Sequence, residues 1–297
     1  MLIYGHPVNG GKNMIYHYAV NLTGPYHKVF STPCQDAYSI DKTDNYTIVA
    51  VADGVSSVSK SDVGAQIATK SDVGAQIATK SAVEHCTAYI TSSMSDDEII
   101  LTMKQAYIKA YTDVLYKAKE DGIDEEEYDS TMCMAIYDGT KLYFSNSGDS
   151  GIIALYSDGE IEAITTQQRD EEGRVYPLCR GPEFWEFGVI DRPVSAVAAM
   201  TDGILDQICH PVLIKNNMIN VPLCMKFMNH FDCIEDDIPA LEIAASKYLE
   251  NIPNIDDDKT IVVVWDSNNT PARRERSYYA IPDWDALNTK SDIPDEA

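Results

Sequence analysis

Three short apolar runs that end or begin on carboxylates constrain the fold of this chain more than any other feature. They are 47-TIVAVADG-54, 194-VSAVAAMTDG-203 and 256-DDDKTIVVVWD-266. Each is continuous and rich in small and β-branched residues, and none shows the alternation of a half-exposed strand. Each therefore reads as a buried strand that stops or starts at a tight turn. The strand-like pieces MIYHYAV and QDAYSI precede them within residues 14–40, separated by the turn-rich TGPYHKVFSTP.

Between the runs the period changes. Residues 61–93 are helical in pattern, with Ser61 or Asp62 able to cap, and a second helix covers about 96–120, with Ile99, Ile100, Met103, Tyr107, Ala110 and Val114 at helical spacing. Residues 131–164 read as three strands in hairpins that turn at Asp138-Gly139 and Asp158-Gly159. The polar segment 165–193 reads as a loop or small flap, and a helical region follows the run 194–203 through about residue 250. Strands, helices, strands, helices and a last strand make an α+β layered fold with mostly antiparallel sheet. No internal boundary is visible, so one domain is expected over residues 1–266. The polar, proline-containing tail 267–297 is expected to be loosely attached.

An exact repeat interrupts the first helix: 61-SDVGAQIATK-70 is followed by 71-SDVGAQIATK-80. Solenoid units are longer and drift in sequence. Ten residues turn a helix by roughly 280° beyond two full turns, so the two copies cannot bury the same face. Either one copy is set aside and the other fills the helical slot, or the duplication damages the fold locally.

The balance of 47 acidic against 23 basic residues gives a formal charge of −24, which repels nucleic acid and anionic membranes. Solubility accounts for most of these acids, but some are placed to gather around divalent cations. The seven cysteines are odd in number and scattered, with no Cys-x-x-Cys pair, so neither a disulfide framework nor a zinc cage is expected. The first twenty residues lack the pattern of a signal peptide, and no apolar run has the length of a membrane span. A cytoplasmic, reduced, soluble protein is the expectation.

Four aspartates share one placement, in a tight turn touching a buried strand: Asp36, Asp53, Asp202 and Asp257. Strand ends are rigid, so carboxylates set there converge with little reorganisation. Several carboxylates crowd together only when cations offset their repulsion. Oxygen ligands without His or Cys suit Mg²⁺ or Mn²⁺. Gly54 allows the turn after Asp53 to be tight and frees its carbonyl as a ligand. Any one Asp-Gly turn is ordinary; the set of four is not.

A competing motif is 148-GDSG-151, the tetrapeptide around the nucleophile of trypsin-like proteases, with Glu84-His85-Cys86 as a histidine segment. It runs on into the strand-like Ile152-Ile153-Ala154-Leu155, and a triad is defined by geometry, not by four letters. That reading predicts labelling of Ser150 by a fluorophosphonate, and none is expected.

The order of the motifs resembles the metal-dependent protein phosphatase 2C family, in particular its short bacterial members. The matching pieces are GPYHKVFSTPCQDAYSI, VADGVSS followed by SDVGAQIA, DSTMCMAIYDGTKLYFSNSGDSG, TDGILD and DDKTIVVV, over roughly residues 20–265. The resemblance implies a four-layer αββα sandwich, two antiparallel sheets with helices on both outer faces. It implies that Asp53 bridges two Mn²⁺ or Mg²⁺ ions, with the carbonyl of Gly54 on one of them, and that Asp202 and Asp257 complete the first. Asp36 matches the acid that holds metal-bound water. Asp149 and Asp206 match the residues of a third, weaker metal site, which makes Asp149 a metal residue and leaves Ser150 without a nucleophilic role. Thr260 matches a support behind the site. The implied chemistry is direct attack on phosphoserine or phosphothreonine by a water that the cations share and acidify.

The chain also departs from that pattern. No arginine precedes Arg169, so His27 or Lys28 stands where many members grip substrate phosphate, and His27 is the candidate for that grip or for protonating the leaving group. Val55 follows Asp53-Gly54 where some members have a proton-donating histidine, and Gly151 stands where Gly-Asp-Ser is usually followed by arginine. Arg169, Arg174 and Arg180 lie in the flap segment. The expected partners are phosphoproteins and a cognate Ser/Thr kinase with its substrates. The alternative is a catalytically weak or inactive module of the same fold that binds a phosphoprotein.

Overall fold

The computed structural model describes residues 14–55, 70–253 and 255–291. The strands are β1 (Ile15–Leu22), β2 (Ala37–Lys42), β3 (Thr47–Ala52), β4 (Met132–Tyr137), β5 (Leu142–Ser147), β6 (Gly151–Tyr156), β7 (Ile161–Ala163), β8 (Glu186–Ile190), β9 (Val194–Met200) and β10 (Lys259–Asp266). They form two five-stranded sheets, ordered β1-β10-β9-β6-β7 and β2-β3-β4-β5-β8, antiparallel at every pairing. The helices are α1 (Pro25–Phe30), α2 (Ser71–Tyr89), α3 (Asp96–Asp121), α4 (Asp202–Ile208), α5 (Pro211–Lys215), α6 (Val221–Met228), α7 (Ile238–Glu250) and α8 (Trp284–Ser291).

Side chains alternate across each strand, and the alternation builds three apolar layers. Val49, Val51, Ala135, Ile152, Val197, Ala199, Val262 and Val264 meet between the sheets. Ile48, Ala50, Met132 and Met134 face α2 and α3, where they meet Ala78, Ala82, Ile99, Met103 and Tyr107. Ile153, Ala198, Ile261 and Val263 face Ile204, Phe227 and Leu249 of α4, α6 and α7. The fold is a four-layer αββα sandwich of two antiparallel sheets flanked by helices. Sandwiching leaves both faces of β3, β9 and β10 buried along their whole length. This is why those runs carry no polar alternation; each fully buried Val or Ile contributes about 1.5–3 kcal/mol.

Several local expectations are corrected. The turn-rich piece between β1 and β2 contains the short helix α1, opened by Pro25 at its first position. Residues 131–164 hold four strands rather than three: β4-β5 and β6-β7 pair across the two expected turns, and between them the chain crosses from one sheet to the other at 148–150, with Gly148 at φ +102°. The flap segment contributes β8, which pairs with β5 at a sheet edge. The described part of the tail is bonded to the sandwich. Ala272 N donates to Ser157 O at 2.8 Å, Ile161 N to Tyr278 Oη at 2.7 Å, and Asn269 Nδ2 to Val194 O at 2.9 Å. Tyr278 and Tyr279 pack on the core beneath the first sheet, which anchors this polar stretch by two aromatic rings.

The second copy of the repeat opens α2. Lys70 is not helical (φ −103°, ψ 19°), so the helix starts ten residues later than its pattern suggests. A Cβ on Gly74 would lie 1.9 Å from Tyr128 O, and one on Gly54 would lie 2.7 Å from Ser71, so this copy sits in a close-packed slot. Residues 61–69 of the first copy lie outside the described residues. Among the described residues no helix is long and apolar enough to cross a membrane.

Candidate metal centre

The strand ends bring carboxylates from both sheets to one point. Asp53 follows β3 of the second sheet, Asp202 follows β9 of the first as the opening residue of α4, and Asp149 sits where the chain crosses between the sheets. Carboxylate oxygens of Asp53, Asp149 and Asp202 lie within 4.8 Å of one another. Asp36, immediately before β2, and Asp257, two residues before β10, are near enough for their charges to act on Asp53 and Asp202. Asp206 lies one helical turn beyond Asp202, accepts a 2.7 Å hydrogen bond from Gln167 Nε2, and acts on Asp149 and Asp202 through charge.

The electrostatics fit a cation site. Burial raises the Asp36 carboxyl to about 7, against the opposing effect of a 2.8 Å hydrogen bond from Thr201 Oγ1. Burial, then the charges of Asp149 and Asp257, raise Asp202 to about 8. Burial raises Asp149 to about 6, with the nearby Arg169 opposing the rise. Asp53 is raised well above the carboxylate range, first by burial and then by Asp36 and Asp202. Both Asp149 oxygens are buried without an aligned hydrogen bond. A buried, oxygen-only donor set that repels itself is matched by a hard divalent cation.

Backbone and side-chain bonds fix this frame. Asp53 N donates to Thr131 Oγ1 at 3.0 Å, and Thr131 N donates to Asp53 O at 2.8 Å. Thr201 Oγ1 accepts from Thr260 N at 3.0 Å, and Asn21 Nδ2 donates to both Asp36 O and Thr260 Oγ1. Sequence reasoning had Thr260 as a support but missed Thr201 and Asn21. The only signal for Thr201 was its place before Asp202.

Asp258 was also missed. It is buried, and its oxygens accept from Gly24 N and Gln35 N, both at 2.6 Å. His27 Nδ1 lies 2.9 Å from Asp258 Oδ1. The residue ties α1, which carries His27, to the approach to β10. Three consecutive aspartates were visible in the sequence, but nothing there separates the one turned toward α1.

Ser150 is fully buried and shares a 2.7 Å hydrogen bond with Thr131. His85 lies on α2 against Tyr89. The two do not form a protease dyad. Of the flap arginines only Arg169 reaches the carboxylates. Arg174 pairs with Asp170 and Glu172, and Arg180 lies over Tyr176 and Phe184.

A layered sandwich with an acidic, cation-fitting centre at its strand ends defines a metal-dependent class of protein. Residues 23–232 match the family model of protein phosphatase 2C. The chain belongs to the protein phosphatase 2C family. A search of curated proteins finds no match. Solved structures share the fold. The Mycobacterium tuberculosis serine/threonine phosphatase PstP/Ppp is 14% identical, with a TM-score of 0.55 over 84% of this chain and 98% of that one. Stp1 from Staphylococcus aureus is 14% identical, with a TM-score of 0.56 over 89% and 99%. The catalytic domain of PstP has also been solved in complex with two manganese ions, again at 14% identity, with a TM-score of 0.55 over 84% and 97%.

Proposed function

We propose that this chain is a Mn²⁺- or Mg²⁺-dependent phosphatase acting on phosphoserine and phosphothreonine in proteins. The observation that carries the reading is the convergence of Asp53, Asp149 and Asp202 from both sheets, in a member of this family. Asp53, Asp202, Asp257 and the Gly54 carbonyl are the proposed ligands of two cations, and Asp149 with Asp206 the ligands of a third. Bound there, divalent cations supply an acidified water and positive charge for the phosphoryl oxygens. Asp36, held by Thr201, is proposed to hold that water. His27, with Asp258 at its Nδ1, is proposed to protonate the departing serine or threonine oxygen, or to hold the phosphate. Residues 1–266 are the proposed catalytic unit, with 267–297 appended to it.

The solved neighbours include bacterial Ser/Thr phosphatases and PppA, described as a regulatory component of a Pseudomonas aeruginosa secretion system. The serine/threonine phosphatases among them support phosphoproteins as substrates; an opposing Ser/Thr kinase and a cytoplasmic location are part of the same proposal. The test is hydrolysis of p-nitrophenyl phosphate with MnCl₂, with EDTA, and by Asp202→Asn. Turnover that needs Mn²⁺ and is lost with EDTA and with the substitution supports the reading. Its absence in folded protein favours the binding module.

A further inference from the structure

The guanidinium of Arg169 lies inside the acidic centre. Its Nη2 is 2.5 Å from Asp149 Oδ2 and 3.3 Å from Asp202 Oδ2. Asp149 is 1% exposed and has no other cation paired with it among the described residues. The arginine is brought there by a built feature. Gln168 N donates to Gly148 O at 2.9 Å, and Gln168 Oε1 accepts from Gly148 N at 3.1 Å, so the residue before Arg169 is bonded twice to the turn that carries Asp149. Beyond it a small hairpin closes, with Arg169 bridged to Val175 and Asp170 N donating to Arg174 O at 2.8 Å. The side chain remains 36% exposed, so it has a way out to solvent.

We infer that Arg169 is an internal counter-ion held in the place of the third cation, which binds at Asp149 and Asp206 only by displacing the guanidinium from Asp149. The inference rests on the reading of this centre as a metal site. Like charges a few ångströms apart repel one another, so the guanidinium on Asp149 opposes a cation on the same carboxylate. The occupancy of the weak site is then set by one flap residue. Asp53 and Asp257 lie beyond its contacts, so the tighter sites are affected only through the shared Asp202.

The test is calorimetric titration of the metal-free protein with MnCl₂, for wild type, Arg169→Gln and Arg169→Lys. Arg169 lies in a surface hairpin, and circular dichroism checks that each variant is folded. Arg169→Gln is expected to tighten the weakest Mn²⁺ event about tenfold, given the partial screening at a half-open site. Arg169→Lys keeps the charge and is expected to stay near wild type. Unchanged or weaker binding in Arg169→Gln overturns the inference, as does equal tightening in Arg169→Lys. Turnover at saturating Mn²⁺ is read separately. A wild type that binds Mn²⁺ yet hydrolyses no phosphate monoester overturns the phosphatase reading and leaves the comparison of isotherms intact. If no variant binds Mn²⁺, both fall.

Discussion

At the residue scale, the centre stores repulsion that a cation relieves. Asp36, Asp149 and Asp202 have carboxyls raised to about 7, 6 and 8, mainly by burial. A raised carboxyl means that the folded state holds its proton more tightly than the unfolded chain does. The stabilisation is fully present below pH about 4 and is lost as pH rises through the folded values. The metal-free protein should therefore lose stability between pH 5 and 8, measured as a falling denaturation midpoint, and Mn²⁺ should restore it at pH 8. Asp202→Asn removes one of these charges. It should raise metal-free stability at pH 8 by about 1–3 kcal/mol while abolishing the gain from Mn²⁺. A lower midpoint for the metal-free variant at that pH would contradict the account. Asp258→Asn keeps the shape but weakens the tie to His27 and to two backbone amides. It should cost about 1–3 kcal/mol in stability and lower turnover, checked by denaturation and by kcat. The aspartates at the ends of apolar runs were legible in the sequence because strand ends announce themselves by composition. Asp258, Thr201 and Asn21 were not, because their partners lie 165 or more residues away or on the facing turn, and no local pattern encodes such a contact.

At the scale of elements, the duplicated segment is the clearest case. The α2 helix begins at Ser71, and the second copy already supplies the close contacts with Gly54 and Tyr128. If residues 61–70 were deleted, Lys60 would precede Ser71 as Lys70 now does. Val55 and Lys70 each bond to the short stretch 127–129, so the gap to be joined is short. Deleting residues 61–70 should leave turnover and the melting temperature unchanged, since the second copy already supplies the start of α2 and its close contacts. Gly74→Ala is the opposite case. A methyl directed at a backbone carbonyl 1.9 Å away should destabilise the protein by about 2–4 kcal/mol, read from chemical denaturation. Helix periodicity in the sequence located α2 and α3 but not where α2 starts, because two identical copies carry identical propensity and only tertiary packing distinguishes them. The crossing at 148–150 was hidden for a related reason. The sequence shows a turn at Gly-Asp-Ser but not the sheet to which the strand on either side belongs.

At the scale of the whole molecule, the two sheets act as a frame that aims carboxylates from opposite layers at one another. Layer order follows from burial on both faces of the central strands, and this much was legible, since runs such as TIVAVA leave no face for water. The attachment of the tail was not, because its hold depends on two tyrosines and a few backbone bonds within an otherwise polar stretch. The central claim is that this frame holds divalent cations for phosphate-ester hydrolysis. Its most direct measurement is release of inorganic phosphate from a phosphothreonine peptide by the full chain, with MnCl₂ and then with excess EDTA. The account predicts release with Mn²⁺ and none with EDTA, with Asp202→Asn down by at least about a hundredfold at saturating metal. Release that persists in EDTA, or an Asp202→Asn variant as active as wild type, would contradict it.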